Sequence, residues 1–291
     1  MDYAQFLARQ VGGKVQKIAI DAGMSCPNRD GTLGWGGCTY CDNRAFNPPY
    51  CNPSLTVTQQ LEAGKRFFAG KYPEMRYLAY FQAYTATHAA FSRLRCLYDE
   101  AMAVDDVVGL VIATRPDCVT DELLDYLQVV GRSRLVIVEL GVETAHDRSL
   151  LMVNRCHDWA TSQVAINRVA ARHITVGVHL ILGLPGESDE DMCQTVKQIS
   201  KLPVNLVKFH QLQVLKHTEL ARQVERGEVD VRHWNASQYA ALCARLATYL
   251  RDDIVVERWV SQAPPHMVIT PRWGIKPAQF QQILNSLMID K

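Results

Sequence analysis

The sequence has almost no net charge and no long apolar run, and each shortage counts against a class of function. Its 291 residues carry 31 Lys and Arg against 30 Asp and Glu, a formal net charge of +1. Nucleic-acid binders often carry a strong basic excess or a basic stripe. Neither is visible, so binding of that kind would have to rest on a local patch. No apolar run reaches the roughly 18 to 20 residues that span a bilayer. Residues 1–17 lack the basic start and apolar centre of a secretory signal. A soluble, cytoplasmic protein is the expectation, with no membrane partner. Low-complexity segments and internal repeats are also missing.

What is present is ordinary core material and an unusual number of thiols. Hydrophobic residues make up 48 % and charged residues 21 %, enough to build one large domain or two smaller ones. Nine cysteines is an odd number, and no secretory signal accompanies them. Extensive disulfide pairing is therefore not expected, and metal or catalytic use better explains any cluster of them.

Strand-like and helix-like segments alternate along the chain. Apolar, β-branched runs predict strands over 16–21, 76–82, 107–113, 135–142, 174–184 and 206–215. Helices are predicted over 54–69, 88–103, 121–130, 145–152, 159–172 and 188–200, with Ser54 and Ser188 as N-caps. Strands apolar on both faces imply a parallel sheet covered by helices. The expected fold is α/β, a partial (β/α)6 TIM-like barrel over 1–215. A C-terminal helical and irregular extension over 216–291 packs on it, with helices at 218–226, 237–251 and 278–288 and a strand-like run at 254–260. Active sites of such barrels gather at the C-terminal ends of the strands.

Directly after the first strand comes Cys26-Pro-Asn-Arg-Asp-Gly-Thr-Leu-Gly-Trp-Gly-Gly-Cys38-Thr-Tyr-Cys41. Gly31, Gly34, Gly36 and Gly37 make this a loop able to curl three thiolates around one centre. Three cysteines without an obvious fourth ligand suit a cubane iron–sulfur cluster with one open iron. Two other readings stay open. A structural zinc site would need a fourth ligand, for which Cys51 is available. A metal-free C-x2-C redox pair is the other, and it leaves Cys26 and the glycines unexplained.

This loop resembles the hallmark of the radical S-adenosylmethionine superfamily, which ends in Cys-x-aromatic-Cys; Tyr40 is the aromatic. The wide C-x11-C-x2-C spacing is similar to that of the elongator catalytic-subunit branch. Asp21-Ala-Gly, Cys26-Pro-Asn-Arg-Asp-Gly and Gly-Gly-Cys38 look closer still to the YhcC-like bacterial radical proteins. So do Tyr80-Phe-Gln-Ala-Tyr-Thr85, Thr114-Arg-Pro-Asp-Cys118, Glu139-Leu-Gly-Val-Glu-Thr-Ala-His-Asp147, Gly183-Leu-Pro-Gly-Glu187 and Pro271-Arg-Trp-Gly.

The resemblance implies a [4Fe–4S] cluster on Cys26, Cys38 and Cys41. It also implies S-adenosylmethionine as cofactor and an electron donor such as a reductase or flavodoxin-like protein. Gln82 and Thr85 stand where the family has a glycine-rich contact to the methionine amino group; Gln82 alternatively caps its strand. Glu143 matches a position that accepts hydrogen bonds from the ribose hydroxyls, and Arg155 one that pairs with the methionine carboxylate. A surface carboxylate and a surface arginine are the plain alternatives.

Gly183 opens a turn whose backbone would approach the adenine; with no phosphate-loop lysine, that turn is not a nucleotide P-loop. His179 is either functional or packed in the core. Arg115 and Asp117 are candidate substrate or cofactor contacts. Cys118 is either a hydrogen-atom donor or, as is commoner for a free thiol, a buried bystander. His210 and Gln211 could face the barrel interior. Cys96, Cys156, Cys193 and Cys243 are expected on helices as packing residues. The substrate, whether small molecule, protein or tRNA, is left open. So is a degenerate relative that binds cofactor without turnover.

Overall fold

The computed structural model describes residues 1–70, 75–82, 84–261 and 263–289. Its strands in chain order are β1 (Val15–Ile20), β2 (Arg76–Phe81), β3 (Val107–Thr114), β4 (Leu135–Glu143), β5 (Thr175–Leu182), β6 (Leu206–Gln211), β7 (Val214–Leu215), β8 (Val255–Arg258) and β9 (Val268–Thr270). Seven of them form one parallel sheet in the order β1-β2-β3-β4-β5-β6-β8. The helices are α1 (Tyr3–Val11), α2 (Val57–Phe68), α3 (Phe91–Met102), α4 (Asp121–Gly131), α5 (Asp147–Met152), α6 (Trp159–Ala170), α7 (Asp189–Ser200), α8 (Glu219–Glu225), α9 (Ala236–Ala247) and α10 (Pro277–Ile289). The result is a partial TIM-like barrel with a C-terminal extension. No described helix is long and apolar enough to cross a membrane.

Three local expectations change. The sheet has seven strands rather than six, because 255–258, inside the predicted extension, pairs in parallel with β6. The predicted strand 206–215 breaks after Gln211, whose side-chain amide bonds both ways to the Ser261 backbone (2.7 and 2.8 Å). Val214 and Leu215 then pair antiparallel with β9. Thr56, not Ser54, caps α2, because Gln59 at the third helical position completes a reciprocal capping box. Ser188 caps α7 in the same way, with Asp191 as its partner.

The interior is layered. α1 lays Phe6 and Leu7 against Leu78, Val111, Ile137, Leu206 and Val255, one residue from each of five strands. This apolar plug closes the lower end of the barrel. The two-residue period of a strand places the next inward layer two positions on. Three members of the plug, Leu78, Ile137 and Leu206, are succeeded by Tyr80, Glu139 and Lys208, and Val255 is succeeded by Glu257.

This second layer is charged. Lys17 of β1 meets Glu139 (2.7 Å) and Glu257 (2.8 Å). Lys208 meets the same two carboxylates at 2.7 and 3.0 Å, and the Tyr80 hydroxyl donates to Glu139 at 3.0 Å. Burial opposes the charge on Glu139, yet the two ammonium groups hold its carboxyl well below the usual carboxylate range.

Removing one member of a buried ion network strands the others, a change that costs about 3–5 kcal/mol. Glu139→Ala should lose stability on that scale in urea unfolding, whereas Glu190→Ala, whose Lys197 and Arg245 pairs are exposed, should lose less than about 1 kcal/mol.

Candidate functional site

Above the charged layer the strand ends open into a cavity of about 630 Å³. Cys26, Cys38 and Cys41 all line it, together with Tyr40, Gln82, Thr85, Arg115, Glu143, Arg155, His179 and His210. Most of the residues singled out in the sequence are thus brought to one chamber. Burial pushes the Cys41 thiol up to about 12, and the neighbouring Cys38 and Cys26 thiols add to that rise. All nine cysteines are free.

The cysteine loop is held from the far side by the segment after α5. Thr39 N–H donates to the Val153 carbonyl at 3.0 Å. The Asn154 side chain donates to the Gly37 carbonyl at 2.9 Å, and Asn28 donates to the Asn154 carbonyl. Cys156 lies in this loop with a φ of +60° rather than on a helix, and its thiol donates to Asn28 Oδ1 at 2.9 Å. Gly34 is required by close approach: a Cβ there would stand 2.6 Å from Asn28 Oδ1.

Arg155 is the hub between this loop and the strand ends. Its Nη1 lies 3.5 Å from Cys38 Sγ and its Nη2 lies 3.2 Å from Glu143 Oε1. Nη2 also donates to the Gly141 carbonyl, and Nε donates to His157 Nε2 at 3.0 Å. Glu143 has a φ of +68°, a conformation that costs a non-glycine residue about 1 kcal/mol. The register of β4 against β5 slips between Gly141 and Glu143. Burial raises the Glu143 carboxyl against the lowering effect of Arg155. Strain and partial desolvation are both concentrated on this carboxylate.

Several candidates take other places. The guanidinium fork of Arg115 is filled by Asp117, Nε to Oδ1 at 2.9 Å and Nη2 to Oδ2 at 2.8 Å, and Nη2 also holds the Arg155 carbonyl at 2.8 Å. Asp117 and Cys118 do not line the cavity. Burial, with Asp117 beside it, pushes the Cys118 thiol up to about 12. Their geometry supports positioning of Arg115 rather than contact with a reacting group.

Gly183 also faces away from the cavity. It has a φ of +86°, and a Cβ there would stand 2.8 Å from the Trp234 ring, so its glycine has a structural reason. Cys51 packs against Asp21 rather than joining the three loop cysteines. Among the described residues no three His, Cys, Asp or Glu side chains could hold a single metal ion. With Cys51 elsewhere, the three loop thiols lack the fourth ligand that a structural zinc takes. Gln82 donates to the Phe46 carbonyl at 2.9 Å from the cavity wall. Ala83 lies outside the described residues.

Among the described residues five buried polar atoms of cavity residues have no hydrogen-bond partner: Tyr40 Oη, Asn43 Nδ2, Asn47 Oδ1, Arg115 Nη1 and Arg258 Nε. Unmatched buried donors are costly, and these walls suit a large polar cofactor. Arg258 was not singled out in the sequence. Its only signal there is a charged residue at the end of a short strand-like run.

Two histidines form the floor. The Nε2–H of His179 donates to Glu139 Oε2 at 2.8 Å, since a carboxylate only accepts, which leaves Nδ1 as an acceptor. Burial, with Lys208 nearby, pushes His179 down to about 4. Burial and Arg258 hold His210 well below its ordinary value.

Two tests arise from this geometry. Gly183→Ala should lose about 1–3 kcal/mol through overpacking and strain, with S-adenosylmethionine affinity kept within about threefold by calorimetry. The second concerns pH. The floor histidines are neutral when folded but take up protons near pH 6.5 when unfolded. Stability is full above that pH and falls from there toward pH 4, by up to about 1.4 kcal/mol per pH unit for each histidine. Urea midpoints at pH 7, 6 and 5 should drop in turn, and His179→Gln should flatten the slope; an unaltered slope would remove His179 as a contributor.

The family model of the radical SAM superfamily matches residues 30–199, and that of the Radical_SAM C-terminal domain matches residues 204–288. The chain is 36% identical to uncharacterized protein YtqA of Bacillus subtilis, covering 96% of this chain and 86% of that one. It is 35% identical to protein YhcC of Escherichia coli, with 92% and 85% covered. A shorter stretch, 42% of this chain and 23% of the other, is 31% identical to the tRNA uridine(34) acetyltransferase of Methanocaldococcus infernus. Among solved structures the archaeal Elp3 of M. infernus superposes with a TM-score of 0.69 at 17% identity, covering 95% of this chain and 63% of that one. The chain belongs to the radical SAM superfamily, in its YhcC-like branch, and its cofactors are a [4Fe–4S] cluster and S-adenosylmethionine.

Proposed function

We propose that Cys26, Cys38 and Cys41 hold the cluster and that the cavity above the charged layer is the reaction chamber of a radical enzyme. The observation that carries this is the convergence of all three thiols on one cavity whose walls present unpartnered buried donors. Held by these three thiolates, a reduced cluster would supply the electron for reductive cleavage of S-adenosylmethionine. Arg155 keeps positive charge beside Cys38 Sγ, where hydrogen bonds and charge tune a cluster's potential. Glu143, buried and fixed by Arg155, is placed to accept hydrogen bonds from sugar hydroxyls. Tyr40, Gln82, Thr85 and Arg115 complete the wall around the cofactor. The apolar plug and the covering helices exclude water, which protects a reactive radical.

Modification of tRNA is the substrate reading that sequence similarity favours, through the stretch shared with the tRNA uridine(34) acetyltransferase. An electron donor, a reductase or flavodoxin-like protein, would supply the cluster. Nine free thiols fit a reducing, cytoplasmic setting.

Anaerobic reconstitution should yield about four irons and four sulfides per chain, and dithionite with S-adenosylmethionine should yield 5′-deoxyadenosine. Cys38→Ala should abolish both results while Cys51→Ala keeps them. Cluster loss in Cys51→Ala would overturn the three-ligand assignment, and four irons without cleavage would favour a degenerate relative. Salt-sensitive retention of tRNA on the reconstituted protein tests the substrate reading; none at low salt would count against it.

A further inference from the structure

Most of the cations in and beneath the cavity are paired with carboxylates, and Arg29, which is not, donates to the Cys41 carbonyl and stacks on Tyr84. Lys17 and Lys208 share Glu139 and Glu257. Arg155 has Glu143, and Arg115 has Asp117. Arg258, on the edge strand β8, lines the same cavity and has no carboxylate partner among the described residues. Among the described residues its Nη2 meets the His210 ring, 3.2 Å from Nδ1. Its Nε is buried with no partner among the described residues.

The comparison with Arg115 makes the vacancy specific. Nε and Nη2 form one edge of the guanidinium fork, and in Arg115 that edge takes both oxygens of Asp117. In Arg258 the equivalent edge offers an unused Nε–H and a second N–H on Nη2. A planar oxyanion matches this edge with two parallel hydrogen bonds. A buried donor without a partner is costly, and an incoming anion would remove that cost.

The position is deep. Register pairs Arg258 with Lys208, and Lys208 with His179, at the level of the charged layer. The cysteine loop follows the C-terminal end of β1, above that layer. Glu143 and Arg155, the residues matched to the cofactor, gather beside Cys38.

We propose that Arg258, with His210 beside it, anchors an oxyanion of the substrate, a carboxylate or a phosphate, on the floor of the cavity. The assignment rests on the cavity being the reaction chamber argued above. It places the anionic end of the substrate downward and leaves the remainder facing the cofactor.

The test is direct observation of the Arg258 Nε–H by nitrogen-15 NMR of the full-length protein at constant pH. The signal is identified by its absence in Arg258→Gln. Sodium acetate, inorganic phosphate, sodium chloride and S-adenosylmethionine are titrated separately. A saturable shift with acetate or phosphate, at least tenfold tighter than with chloride, is expected. The Arg115 Nε–H, already bound to Asp117, should stay still. Response to acetate alone identifies a carboxylate end, and response to phosphate alone a phosphate end.

No shift, a shift equal to that with chloride, or an equal shift at Arg115 overturns the proposal. A shift at Arg258 with S-adenosylmethionine that competes with acetate gives this edge to the cofactor and also overturns it. Iron content and 5′-deoxyadenosine yield of the wild-type protein are measured on the same preparation. Failure there would sink the radical reading without altering the NMR result, so the two failures are separable.

Discussion

The Glu139 carboxylate is the constraint around which the barrel is organised. It sits on the central strand β4 and accepts from Lys17 on β1, Tyr80 on β2, His179 on β5 and Lys208 on β6. Through Lys17 and Lys208 it also ties Glu257 on β8 into the same network. An open parallel sheet has no hydrogen bonds between its first and last strands. Here Lys17 and Glu257 supply a link between β1 and β8 with side chains instead. The network therefore sets the curvature that makes a cavity out of a sheet. Burial, with Lys208 of the same network beside them, holds the floor histidines neutral against the opposing pull of Glu139, so the chemistry of the floor is tied to this network.

A second, smaller hub carries that frame to the cysteine loop. Such a glycine-rich loop has little structure of its own and needs external contacts to hold a shape. The turn from Val153 to Cys156 supplies them, and Arg155 joins Cys38 to Glu143 across the gap. The asymmetry of Gly141 belongs to the same hub. A Cβ there would stand 2.6 Å from Arg155 Nη2 and 2.8 Å from Glu143 Oε1. The residue types in this region are thus chosen by mutual fit as much as by any ligand.

The sequence made the βα rhythm legible because strands buried on both faces give continuous apolar runs. It made the cysteine loop legible because its spacing and glycines have few other uses. The seventh strand was harder to read. Four residues of β8 are too short to dominate a periodic pattern, and only pairing with β6 reveals their place. α1 was missed for a similar reason: two and a half amphipathic turns before the first strand carry no sign that they plug a barrel. Gly183 was read through its motif, while its real neighbour, Trp234, lies 51 residues away in the chain. Arg258 stayed invisible because an unpaired charge is a property of three-dimensional surroundings, not of the residue.

The plug formed by Phe6 and Leu7 has one more consequence. With its base stoppered, the chamber becomes a vessel filled from the top. Whatever rests on the floor must enter before the upper occupant settles above it and must leave after that occupant has gone. Traffic through such a vessel is a stack, last in and first out. On the proposal for Arg258, a nine-residue helix far from the cysteines would thus set the order of binding.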